Sequence, residues 1–195
     1  MGTGVAREIK ELFDVVTPWT PELHYDAILF EGGSDIHPKI YNHPNTHSGV
    51  GEDLSHRDKI EVEAMTDAIN KKALIIGICR GAQLACALAG GKLVQHVNNH
   101  GSSHYVETND GNAFRVSSVH HQMMYPWNVD HEVLAWAMES DEYHGHEIDE
   151  DLMEEQEPEA VYFPKIRALA FQWHPEWAAT EQETNFTINQ IKEKL

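Results

Sequence analysis

The sequence predicts a single α/β domain spanning residues 1–195, with a mostly parallel central sheet and helices on both of its faces. Two continuous apolar runs, residues 27–30 and 73–78, have strand length and no polar face, as strands covered on both sides do. Segments with helical spacing alternate with these runs, the pattern of strands joined by crossover helices. At 195 residues, 41% of them hydrophobic, the chain is long enough to bury one substantial core.

Each element follows from a local pattern. Val5, Ile9, Leu12 and Phe13 recur at helical spacing and predict a short opening helix. The run at 27–30 ends in Glu31-Gly32-Gly33, a strand entering a turn. Residues 36–57, rich in His, Pro, Asn, Ser and Gly, read as a long surface loop. Ile60, Ala64, Met65, Ala68 and Ile69 share one face of the next helix. Residues 73–78 form the strongest strand, and the small apolar residues of 80–89 suit a packed helix. Shorter strands are expected at 92–94, 114–117, 133–137, 160–163 and 168–173, with a closing helix at 181–194. The later strands lack long intervening helices, so part of the sheet is expected to be antiparallel.

Charge narrows the function. Fourteen Lys and Arg stand against thirty-two Asp and Glu, a net charge of −18. Such a field repels phosphate, so neither nucleic acid nor a membrane is an expected partner. No apolar run approaches the roughly 20 residues of a membrane helix. The first residues lack the basic start and apolar stretch of a signal peptide, so a cytoplasmic location is expected. Eleven of the acidic residues fall within 139–159, where no Lys or Arg occurs. Like charge at that density predicts a mobile, solvated insertion outside the core, with Ile148, Leu152 and Met153 spaced for at most one amphipathic turn.

Cys79 and Cys86 lie seven apart across a strand-to-helix turn, a poor framework for a disulfide. Cys79 stands in Gly77-x-Cys79-x-Gly81, the thiol counterpart of a nucleophile elbow. Glycines flank such a turn because strand and helix backbones approach too closely for side chains. The free N–H groups and dipole of a helix N-terminus favour thiolate over thiol. A cysteine merely buried between sheet and helix would satisfy the same glycines, so the partner matters. The strand at 168–173 ends in His174-Pro175-Glu176. With the chain extended through Pro175, Glu176 would lie on the same side as His174 and fix its tautomer. His-Pro-Glu alone also fits a surface turn; beside the elbow, the catalytic reading is favoured. Gly32-Gly33 and the N–H of Arg80 are the expected oxyanion donors. Seven further histidines (His43, His47, His96, His100, His104, His144 and His146) form no metal-binding motif and read as solvated, with no metal expected.

Four blocks carry a family resemblance: EGGSDIHPKIY (31–41), GICRGAQLACALAGGKLVQ (77–95), VSSVHHQMM (116–124) and AFQWHPEW (170–177). In this order they resemble the class I glutamine amidotransferases, and most nearly the γ-glutamyl-γ-aminobutyrate hydrolase-like (peptidase C26) amidohydrolases. The resemblance implies a flavodoxin-like fold and a Cys79–His174–Glu176 triad. It also implies oxyanion donors at Gly33 and Arg80, and a substrate pocket lined by Gln83, His120, His121 and Gln122. Arg57, Asp58 and Glu61 match a helix-start motif read as structural. The family's opening strand is missing here, or the start is truncated. The Cys-Arg-Gly form and the Gly32, Gly33, Asp35, Pro38, Tyr41 pattern are more typical of stand-alone hydrolases.

The expected activity is therefore cysteine-dependent hydrolysis of a γ-glutamyl amide through a thioester, without a cofactor. A glutaminase subunit feeding ammonia to a synthase, and a non-catalytic binding or regulatory protein on the same fold, are the alternatives. The expected partner is a small γ-glutamyl substrate. A homo-oligomer and a synthase partner stay open, and nothing in the residues indicates the latter.

Overall fold

The computed structural model describes residues 4–138, 142–177 and 179–195. Glu139 and Asp141 of the acidic segment lie outside the described residues, as do the side chain of Val5 and everything before Gly4. The elements run α1 (Gly4–Glu11), β1 (Ala27–Phe30), α2 (His56–Lys71), β2 (Leu74–Ile78), α3 (Arg80–Ala89), β3 (Lys92–Val94) and β4 (His96–Val97). They continue with β5 (His104–Thr108), β6 (Ala113–Val116), β7 (Met123–Tyr125), β8 (Glu132–Ala137), β9 (Tyr143–His144), α4 (Glu150–Glu155), β10 (Glu157–Phe163), β11 (Ala168–Phe171) and α5 (Glu181–Lys194).

Seven strands form the main sheet in the order β1-β2-β11-β10-β8-β5-β6. β2 is flanked by β1 and β11, both parallel to it, with Phe30 opposite Gly77 and Phe171 opposite Ile78. From β11 onward each pairing is antiparallel, through β10, β8 and β5 to β6. The fold is α/β with a mixed sheet, and its parallel part is confined to three strands. The short links of the β5–β6 and β10–β11 pairs require antiparallel pairing, since a parallel return needs a crossover of a dozen or more residues.

Alternation along β2 shows how both faces are covered. Ile75 faces the core under α2 and α3 with Ala64, Met65, Leu84 and Ala85. Leu74 and Ile76 face the opposite core with Ile9 of α1, Ile191 of α5 and Trp173. All five β2 residues are buried. Ser55 caps α2 and shares a reciprocal capping box with Asp58. Thr180 caps α5 by accepting from the Glu183 N–H. Residues 36–57 contain a short 3-10 turn (Pro38–Tyr41), and this loop is anchored by the buried Ile36, His37 and Tyr41.

The acidic segment requires a correction. Among its described residues, Tyr143 and Met153 pack with Val94, Val97, Met123 and Tyr125 in a third apolar cluster. Glu157 and Glu159 belong to β10, inside the main sheet, and both are buried. The reading of 139–159 as a solvated insertion counts only Lys and Arg as partners. Histidines face these carboxylates instead. Met153→Ala is accordingly expected to cost about 2–4 kcal/mol, the range for deleting a buried Met side chain. Urea unfolding measures it, and an unchanged midpoint would restore the solvated reading.

Candidate active site

Cys79 is the hinge between β2 and α3, with φ 49° and ψ −104°. A non-glycine residue in this region stores strain of order 1–3 kcal/mol and marks a functional turn more often than a structural one. Its backbone is held on both sides: the Cys79 N–H donates to Phe171 O at 2.7 Å, and Gln83 N–H donates to Cys79 O at 3.0 Å. The flanking glycines are required by space. A Cβ on Gly77 would lie 2.5 Å from the Gly81 carbonyl oxygen, and one on Gly81 would lie 2.3 Å from that of Phe30. β1, β2 and the first turn of α3 therefore converge at the cysteine.

β11 delivers His174 to the same place. Its backbone N–H donates to Ser117 O at 2.8 Å, and the Ser117 hydroxyl donates to His174 O at 2.5 Å. The ring pairs with the Glu176 carboxylate at 2.6 Å through Nδ1 and stacks on Trp177 with centroids 3.9 Å apart and planes 6° from parallel. It also lies against Gly32, where a Cβ would come within 2.5 Å of His174 Cε1. Burial opposes a charged imidazole here, but adjacent Cys79 and Glu176 outweigh it and raise His174 to about 9.

The path from His174 to Glu176 differs from the expected extended chain. Pro175–Trp177 is a 3-10 turn, closed by Trp177 N–H to His174 O at 3.0 Å. Proline is well suited to the first position of such a turn, where its missing N–H leaves nothing unpaired and its φ already fits. The turn, not strand alternation, brings Glu176 back to the ring. Trp177, part of the last sequence block but given no role there, supplies the flat surface on which that ring rests.

Cys79, His174 and Glu176 share one cavity of about 430 Å³ with Glu31, Gly32, Gly33, Val119 and Trp177. The four residues assigned to the substrate by resemblance are outside this lining. Gln83 donates to Gln122 O at 2.9 Å, and Gln122 reaches Gln95 O at 3.5 Å. His121 pairs with Asp35 at 2.8 Å, and His120 turns inward to Glu159 at 3.2 Å. These contacts join loops around the site and do not line the space above the cysteine.

Arg80 has a role that the resemblance gives only to its backbone. Its side chain is 1% exposed and meets Asp58 at 2.6 Å and Glu61; Arg57 shares Glu61 at 2.6 Å. The start of α2 is thereby clamped to the residue following Cys79. Removing one partner of a buried ion pair strands the other charge in a dry environment, at about 3–5 kcal/mol. Asp58→Asn, which keeps the shape and loses the charge, is expected to cost about 3 kcal/mol by urea unfolding and to lower activity. A neutral result would mean that Glu61 alone satisfies Arg80.

Cys86 is a different kind of cysteine. It is fully buried in α3, its thiol donates to Lys92 O at 3.3 Å, and burial pushes it up to about 12. Both cysteines are free. Among the described residues, no helix is long and apolar enough to cross a membrane.

Known proteins are similar to this chain. A protein of Lactococcus lactis described as glutamine amidotransferase-like, YvdE, is 27% identical over 173 residues, covering 77% of this chain and 66% of that protein. A Rickettsia prowazekii protein described in the same terms, RP404, is 38% identical over 77 residues, covering 37% of this chain and 26% of its own length. The chain thus spans two thirds or less of these relatives. A solved structure from Thermoplasma acidophilum, described as part of a GMP synthase, shares the fold, with a TM-score of 0.51 and 15% identity over 86% of this chain and 75% of that one. The Peptidase C26 model matches residues 23–176, a stretch that includes the strained cysteine turn and ends on Glu176. With that match covering most of its length, the chain belongs to the Peptidase C26 family.

Proposed function

We propose that the protein hydrolyses a γ-glutamyl amide, glutamine or a γ-glutamyl amine, through a thioester on Cys79. The reading rests on one observation above all: Cys79 on its strained turn and the His174–Glu176 pair open into one cavity large enough for a small substrate. Membership of a family with glutamine amidotransferase-like relatives supports amide chemistry.

In the proposed cycle the Cys79 thiolate attacks the δ-carbonyl carbon. The N–H groups of Gly33 and Arg80 receive the oxyanion; that of Arg80, at the first position of α3, has no partner within its helix. His174 donates its proton to the departing amine as the C–N bond breaks. It then takes a proton from water, which cleaves the thioester and returns the thiol with free glutamate. Glu176 orients the ring throughout and stabilises its charge. Each proton given in the first half is recovered in the second, so no external reductant or oxidant enters.

The test is glutamate and ammonia release from glutamine, run beside a panel of γ-glutamyl amines with the protein alone. Turnover of one of them supports the hydrolase. Glutamine cleavage only upon addition of a synthase would support an ammonia-supplying role instead. No turnover under either condition, with folded protein, would favour a binding role.

A further inference from the structure

His100, His104, His120, Glu157 and Glu159 meet inside the protein, on the far side of Ser117 and Ser118 from the catalytic histidine. The site joins three parts of the fold: the loop after β4 and the start of β5, the loop before β7, and strand β10. Contrary to its reading as solvated, His100 is 4% exposed; His120 is also 4% exposed and Glu159 is fully buried. The Nε2 atoms of His104 and His120 approach Glu159 Oε1 at 3.3 and 3.2 Å, and that of His100 lies 3.9 Å from it. His100 also meets Glu157, whose other oxygen accepts from the Tyr143 hydroxyl.

The other ring nitrogens decide what these atoms are. Nδ1 of His100 faces Asn98 O at 2.8 Å, that of His104 faces Ser102 O at 3.3 Å, and that of His120 faces Gln122 O at 3.1 Å. A carbonyl only accepts, so each Nδ1 is the N–H donor, and in a neutral ring each Nε2 is then a lone pair. The lone pairs of His104 and His120 would then face Glu159 Oε1 and that of His100 would face Glu157 Oε1, oxygens that also only accept. A cation bound between His100, His104 and Glu159 would give the two Nε2 lone pairs and the carboxylate a common partner.

We propose that this cluster is a binding site for a zinc-class divalent transition-metal ion, with His100 Nε2, His104 Nε2 and Glu159 as its ligands. These three donor atoms lie within 4.8 Å of one another. Tetrahedral ligands about 2.0–2.1 Å from zinc stand roughly 3.3 Å apart, the separation already present between His104 and Glu159, so binding would draw His100 inward. Imidazole nitrogens select zinc, nickel, copper or iron over calcium and magnesium. Hydrogen bonds from Nδ1 to backbone carbonyls are the support that metal-ligating histidines usually have. His120 and Glu157 flank the set, on Glu159 and His100 respectively.

Position gives the ion a structural role. The Ser118 hydroxyl donates to His100 O at 2.8 Å and His120 N–H donates to the same oxygen at 3.1 Å. Gln172 N–H donates to Glu159 O at 2.8 Å, two residues before His174. An ion here would pin the loop that carries Ser117 and Val119, one holding the His174 backbone and the other lining the cavity. The site does not touch the reacting atoms, so the proposal stands whether or not the amide hydrolase reading does.

The experiment is metal analysis of tag-free protein after dialysis, followed by titration with zinc and with cobalt. The expected result is about one equivalent per chain, a rise of several degrees in melting temperature with zinc, and visible absorption bands of tetrahedral cobalt. Glu159→Gln and His104→Ala should lose all three. His47→Ala with His144→Ala, which removes surface rings stacked 5.2 Å apart, should lose none. Should either cluster variant fail to fold, the wild-type cobalt spectrum and stoichiometry still decide. Folded wild-type protein that binds no stoichiometric zinc or cobalt would overturn the proposal, leaving a proton-linked network. So would metal that disappears with the surface pair while the buried cluster is intact.

Discussion

Cys79→Ala is expected to reduce γ-glutamyl amide hydrolysis to background, a loss on the order of 10,000-fold or more, whereas Cys86→Ala keeps most of it. The two thiols differ in backbone geometry and in access to the cavity. Cys79 sits on a strained turn at the start of α3 and opens into the cavity beside His174. Cys86 is sealed within the same helix, raised to about 12 by burial and spent on a carbonyl. Its replacement removes only a small packed group, a modest cost in stability. Steady-state rates on whichever γ-glutamyl substrate is turned over fastest decide the matter. Full activity in Cys79→Ala would remove the thioester from the account.

His174→Ala should lower kcat by about 100- to 10,000-fold, the usual effect of losing a general acid and base. Glu176→Gln should lose less and should change the pH profile. His174 lies at about 9 instead of the ordinary 6.5, because Cys79 and Glu176 outweigh burial. The protonated ring needed to expel the amine therefore persists to about pH 9, and kcat/KM should fall as pH rises through that value. Removing the Glu176 charge removes part of what raises the pKa, so the alkaline limb should move to lower pH. The same raised pKa contributes stability that is present in full below pH 6.5 and is lost as pH rises through about 9. An alkaline limb that stays in place in Glu176→Gln would mean that the carboxylate does not act on the imidazole.

Local chemistry is legible where a feature is written in adjacent residues. The glycines around Cys79, the strand feeding it and α3 over 80–89 all come from short-range sterics and period. The helix closing the chain and the strand at 92–94 are likewise readable. Long-range pairing is not. β5 and β7 are too short or too mixed to announce themselves, and the pairings of β7 with β3 and of β5 with β8 span distant parts of the sequence. Pro175 is ambiguous in the sequence, because proline favours an extended chain and equally suits the first residue of a 3-10 turn.

The buried histidine cluster is hidden for a similar reason. A census of Lys and Arg leaves histidine out of the basic partners of the acidic segment, which places Glu157 and Glu159 in a solvated run. The signal lies in Glu157-Pro158-Glu159 followed by an apolar stretch: carboxylates two apart at the start of a strand share one face of it. The Arg80 clamp is half legible. Arg57, Asp58 and Glu61 read as structural, but their partner is visible only once α2 is packed against α3.

The central claim is that Cys79 carries the substrate's acyl group, and rapid acid quench followed by intact and peptide mass spectrometry tests it most directly. Wild-type protein mixed with an excess of substrate should show one added γ-glutamyl group, located on the peptide containing Cys79 and released by hydroxylamine. Adduct should accumulate in His174→Ala if that variant acylates but cannot activate water, and none should form in Cys79→Ala. Turnover without any acyl adduct, or an adduct on Cys86 with Cys79 unmodified, would contradict the account.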